Sequence, residues 1–170
     1  MSTRSREYLY LNEKISELSA QVPRLIRTIE LTEAAIISFN TDENGTALNL
    51  KHMEYEIFAP AVALSDVILA RINGISTDSY YCSSISEVAV SYGWCGATDT
   101  AAAMCCVTLD VLENNVKITS LGIKTSAAGT PAAHTAITLI HGQTISAITS
   151  FVTKEALPIG TKMIVRGIDA

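Results

Sequence analysis

A chain of 170 residues can bury one real core, yet only 17% of its residues are charged and 48% are hydrophobic. An average soluble domain carries roughly 25% charged residues, and soluble monomers rarely leave large apolar patches in water, so this composition predicts surface hidden in an oligomer. A net charge of −5 and a pI near 5.1 exclude the basic footprint of a nucleic-acid binder.

The first element is a helix. Met1–Glu7 leads into alternating polar and apolar residues rather than an apolar core segment, so no secretory leader is expected. Tyr8, Leu11, Ile15, Leu18, Val22, Leu25 and Ile29 follow a 3-4-3-4 spacing, the seam of a coiled coil. Pro23 cannot donate a backbone hydrogen bond, which should end or kink the helix near Val22. The secure part of the seam is Tyr8, Leu11, Ile15 and Leu18, and these are the expected oligomerisation residues. A helix this short is marginal without a partner surface, which either another copy or the chain's own domain can supply. The flanking pairs, Glu7 with Asn12 and Lys14 with Ser19, form no clean ion pairs, so helix chemistry leaves the stoichiometry open. Residues 1–30 are read as a helical stalk and residues 31–170 as a β-domain.

From Leu31 the texture changes to short β-rich runs. Expected strands are Ala35–Phe39, Leu48–Phe58, Val67–Ile72, Val88–Tyr92, Ala103–Leu112, Val116–Ile123, Ala136–Ile140, Ile145–Val152 and Lys162–Ile168. Between them lie turn-formers, among them Asp42–Gly45, Asn73-Gly74, Gly93–Asp99 and Glu113–Asn115. This spacing indicates a mainly β fold, a β-sandwich or jelly roll preceded by the N-terminal helix. Within Leu48–Phe58 the alternation changes phase: Leu48 and Leu50 are apolar at even positions, Met53, Tyr55 and Ile57 at odd ones. A bulge near Lys51–His52 would keep both sets on one face. Ile118–Thr153 holds a single charged residue, Lys124. Strands from that stretch are expected to be covered on both faces, by the core and by a neighbouring subunit. Its histidines, Gln143 and many Thr and Ser argue against membrane insertion.

The familiar chemical signatures are missing. His52, His134 and His141 have no metal-binding spacing, and no nucleophile elbow or phosphate loop occurs. Asp42–Gly45 begins like a calcium loop but lacks the later ligands, so it reads as a hairpin turn. Cys82, Cys95, Cys105 and Cys106 match no zinc spacing, and Cys105 and Cys106 should point to opposite faces of a strand. No enzyme, metal or cofactor is expected. One segment suits a ligand: Tyr80, Tyr81, Tyr92 and Trp94 fall close together with acidic neighbours. Such rings form either a platform for sugars or the end of a sandwich core.

The closing segment Pro158-Ile159-Gly160-Thr161-Lys162-Met163-Ile164-Val165-Arg166-Gly167-Ile168 resembles the C-termini of structural proteins of tailed bacteriophages, and Leu48–Val62 is similar in style. In the tail-tip, baseplate, receptor-binding and head-fibre proteins of that kind a short helix or stalk joins a β-sandwich, often in homotrimers. The resemblance implies a non-enzymatic virion protein, made in the host cytoplasm. It implies a homotrimer that contacts other virion proteins and displays a host-recognition or decoration surface, with a cell-surface glycan as ligand class. It carries over no catalytic or binding residue. Alternatives are a free-standing carbohydrate-binding or trimeric signalling jelly roll and, less favoured by the residues, a small β-sandwich hydrolase or isomerase.

Overall fold

The computed structural model describes residues 3–60, 67–82, 89–90, 93–97, 103–113, 115–125, 131–140 and 142–170. Among them are one helix, α1 (Thr3–Ser19), and the strands β1 (Arg24–Glu30), β2 (Ser38–Phe39), β3 (Leu50–Ala59), β4 (Val67–Ile72), β5 (Tyr80–Cys82) and β6 (Ala89–Val90). There follow β7 (Gly93–Ala97), β8 (Ala103–Leu112), β9 (Asn115–Thr125), β10 (Pro131–Ile140), β11 (Phe151–Thr153) and β12 (Lys162–Asp169). The fold is mainly β, with every strand pair antiparallel. One sheet of eight strands runs β1-β12-β3-β8-β9-β10-β5-β6, and one of four runs β2-β11-β4-β7.

The two sheets pack as a sandwich because each strand turns alternate residues inward. Met53, Tyr55 and Ile57 from β3, Cys105, Val107 and Leu109 from β8, and Val116 and Ile118 from β9 are buried from the large sheet. Ile68, Ala70 and Ile72 from β4 meet them from the small one. Phe151 ties the layers: its ring stacks on Phe39 of β2 at 5.3 Å and meets Tyr55 of β3 edge-on at 5.4 Å.

The bulge expected in β3 is present. His52 pairs with Ile168 of β12, whereas Leu50 pairs with the very next residue, Asp169, leaving Lys51 as the extra residue. Leu50 and Met53 are therefore both fully buried although three positions apart. The Pro158–Thr161 turn is also present: Thr161 N–H donates to the Pro158 carbonyl at 3.2 Å, with Gly160 at φ 82°. That positive φ is what glycine supplies there.

Other expectations shift. Helix α1 stops at Ser19, and Leu25 and Ile29, which continue the heptad spacing, lie on β1. That strand is hydrogen-bonded to β12, so residues 24–30 belong to the sheet rather than the stalk. Gly93–Ala97, read as part of a turn, is strand β7. The expected strand Ile145–Val152 shrinks to Phe151–Thr153, and Asn73 is the reason. Its Oδ1 accepts the Thr149 and Ser150 N–H groups at 2.7 and 3.2 Å, and its Nδ2 donates to the Ala147 carbonyl at 2.7 Å. Backbone groups that a ladder needs are already taken.

Edge strand β1 is partly closed by the loop after β2. Glu43 N–H donates to the Ile26 carbonyl at 3.0 Å, and Thr28 N–H donates to Glu43 Oε1 at 2.7 Å. Such blocking protects an edge from pairing with foreign strands.

Candidate interaction surfaces

Helix α1 presents its seam to solvent in the single chain. Leu11, Ile15 and Leu18 are 54%, 60% and 63% exposed, and their spacing places them on one stripe. The flank is polar and locally ordered: Lys14 pairs with Glu17 at 2.6 Å and lies 5.9 Å from the centre of the Tyr10 ring. Tyr8 is on the helix backbone, but its side chain lies outside the described residues.

Tyr80 and Tyr81 do not share a platform. Tyr80 is fully buried. Its hydroxyl accepts the Ile72 N–H at 2.9 Å and has the Ile75 and Ile72 carbonyls within 3.3 and 3.4 Å. Tyr80 is thus a core residue, with its polar tip satisfied by the β4 turn. Tyr81, the next residue along β5, faces the other way and is 40% exposed, so the two rings share no surface. Trp94 sits on β7, in register with Leu69 at the edge of the small sheet; its side chain and all of Tyr92 lie outside the described residues.

His52 is the histidine with a described environment. Its Nδ1 is 2.7 Å from Asp110 Oδ1 across the β3–β8 ladder, and its Nε2 is 3.8 Å from Glu54 Oε2. The pair was illegible in sequence because only strand register brings positions 52 and 110 together. No described nucleophile is hydrogen-bonded to the ring, and no group of three metal-ligating side chains forms among the described residues. The side chain of His134 and all of His141 lie outside them. Cys105 is buried and Cys106 exposed, the opposite facing expected of neighbours on a strand. No described helix is long and apolar enough to cross a membrane.

Where α1 meets the sheet there is a cleft of about 300 Å³, lined by Ser19, Val22, Arg24, Lys51 and Asp169 among others. Arg24 and Asp169 of its wall belong to a three-residue cluster completed by Asp42 behind them. Arg24 grips Asp169 with two parallel hydrogen bonds, Nε to Oδ2 at 2.9 Å and Nη2 to Oδ1 at 3.0 Å, while Nη1 reaches Asp42 Oδ2 at 3.0 Å. Asp169 first, then Asp42, raise the Arg24 pKa against the lowering effect of burial. Asp42 also accepts the Asn44 and Thr46 N–H groups on Oδ1 at 2.9 and 3.0 Å. The Thr46 N–H is the largest cause holding this carboxyl below its ordinary value; Arg24 and the Asn44 N–H add to it, and burial opposes them. With its oxygens so occupied, Asp42 is a turn-former and the Asp42–Gly45 loop a hairpin connection.

The outer face of the large sheet is the other extended surface. Phe58, Met104, Leu121, Ile137 and Leu139 are 44%, 51%, 50%, 45% and 38% exposed. They form one tract because Phe58 is in register with Met104, Leu121 lies opposite exposed Cys106, and Leu139 lies opposite Tyr81. The low charge of Ile118–Thr153 pointed to the β9 and β10 part of this tract. Phe58 and Met104 gave no such signal, since a single apolar residue on a strand is ordinary surface.

No protein-family model matches the chain, and no characterised protein matches it in sequence.

Proposed function

We propose that this chain is a non-enzymatic, homo-oligomeric structural protein of a virion, a β-sandwich carried on a helical stalk and used to display a host-recognition or decoration surface. The observation that carries the oligomeric part is the stripe Leu11, Ile15 and Leu18, each more than half exposed on a 17-residue helix. An isolated helix of that length is marginal in water, and burying such a stripe against copies of itself is the coiled-coil solution. The virion role and the trimeric state rest on the likeness of Pro158–Ile168 to phage structural proteins. Tyr80 is core, so in this reading recognition falls to Tyr81, Tyr92 and Trp94.

Two measurements test the reading. Light scattering at micromolar concentration is expected to give three times the 18.2 kDa chain mass, and a clean monomer refutes the oligomer. Co-purification of the chain with phage particles is the expected mark of a virion protein, and its absence from particles refutes that role.

A further inference from the structure

We infer that the outer face of the large sheet, around Phe58, Met104, Leu121 and Leu139, is a second self-association surface, covered in the assembly by a neighbouring copy. This rests on the homo-oligomeric reading above and adds a contact distinct from the helix.

Three observations select a second copy as the occupant. First, the tract is backed by charges of both signs in comparable number. Lys162, Arg166 and Lys117 share the outer face with Glu54, Glu56 and Asp110, as their registers with Phe58, Ile164 and Thr108 show. Several are already matched along the ladder: Arg166 lies 3.5 Å from Glu56, and His52 bridges toward Glu54 and Asp110. A face of mixed sign can meet its own copy without like-charge repulsion, whereas a nucleic acid or an anionic membrane selects a basic one.

Second, the size is adequate. From β12 to β5 the face crosses five inter-strand gaps of ~4.8 Å, and about eight residues at ~3.4 Å set its height, so it spans roughly 24 by 27 Å. That is roughly 650 Å² in projection, and side-chain relief brings it toward the ~800 Å² per partner of a standard interface. Third, the registers place the apolar side chains in one diagonal stripe from Phe58 through Met104 and Leu121 to Ile137 and Leu139, with charged residues of β12, β3, β8 and β9 along one border of it. A shallow cavity of about 100 Å³ lined by Glu56, Cys106, Thr108 and Arg166 gives the face relief at the border between its two halves.

The test uses the full chain and two readouts, mass by light scattering and alkylation of the exposed Cys106 thiol resolved by peptide mass spectrometry. Leu121→Asp changes a half-exposed side chain and leaves the core alone. The expected result is assembly weakened by about tenfold or more, the range of a central interface residue, with Cys106 alkylated about tenfold faster than in the assembled wild type. Met104→Glu is expected to behave the same way and serves if Leu121→Asp does not fold. Unchanged mass and unchanged Cys106 alkylation in a folded variant overturn the sheet-face contact. Leu11→Asp/Ile15→Asp keeps the two interfaces apart: if it alone lowers the mass, the stalk stands and this inference falls. A monomeric wild type removes both.

Discussion

Gly167 lies directly beneath Leu50. A Cβ built on Gly167 would stand 2.8 Å from Leu50 Cδ1 and 3.0 Å from the His52 carbonyl oxygen. The bulge at Lys51 is what turns Leu50 inward over β12, so the glycine and the bulge form one device. Gly167→Ala must therefore push a buried leucine or the β3 backbone aside. Overpacking of this kind costs about 1–3 kcal/mol, and thermal unfolding is expected to show a clear fall in Tm. An unchanged Tm would mean that Leu50 repacks freely.

Asn73 binds three backbone groups of the segment before β11 and adopts φ 54°. Asn73→Ala leaves those groups without their partner and places a non-glycine, non-asparagine residue at positive φ. The expected loss is about 2–3 kcal/mol, read by chemical denaturation. Asn73→Gly is expected to recover the backbone part of that loss and none of the hydrogen bonding.

Acid sensitivity follows from Asp42. Its carboxyl is held below the ordinary aspartate value of 3.8, so the folded chain binds that proton less readily than the unfolded one. The stabilisation is fully present above the ordinary value and is lost as pH falls through the lower folded-state value. Asp42→Asn should lower Tm at neutral pH, and the difference from wild type should narrow as pH falls below the ordinary aspartate value of 3.8. A difference that stays constant as the pH is lowered further would separate Asp42 from acid unfolding.

The helix and the sandwich are expected to respond separately. Leu11→Asp/Ile15→Asp places charge in the stalk seam, which costs several kcal/mol of assembly where the site is dry. The sandwich core contains neither residue, so the main unfolding transition should survive in circular dichroism while the mass falls.

Trp94→Ala tests recognition. If Trp94 serves as a platform ring, glycan or cell attachment is lost and Tm is preserved. Truncating a core tryptophan costs about 3–5 kcal/mol, and a Tm drop of that size without a binding defect removes the recognition role.

Much of the fold was legible because alternation and turn chemistry act locally. The limits of β4 and β8 coincide with their apolar runs, Gly160 sits where a turn needs positive φ, and the phase change at Lys51 announced its bulge. What stayed hidden depends on partners far along the chain. Leu25 and Ile29 fit a heptad as well as a strand, and only pairing with β12 decides between them. The run Ile145–Ser150 has strand-like composition, but Asn73 takes the Ala147 carbonyl and the Thr149 and Ser150 N–H groups that a ladder would use. Tyr80 and Tyr81 looked equivalent in sequence, yet register with Ile140 and Leu139 sends one inward and the other out. The Arg24–Asp169 clamp joins residues separated by 145 positions, which no local pattern announces.

The placement of β12 bears on how the chain reaches this state. Among the described residues β1 pairs with β12 alone, Arg24 opposite Gly167 and Glu30 opposite Lys162, and β3 takes β12 as one of its two neighbours. Contacts of such long range close slowly, so β1 and one side of β3 wait unpaired until nearly all of the described chain has been synthesised. A product cut short before Lys162 keeps its seam helix while exposing two open strand edges, the template for aggregation. A chain without β12 is therefore expected to aggregate rather than reach the two-sheet fold.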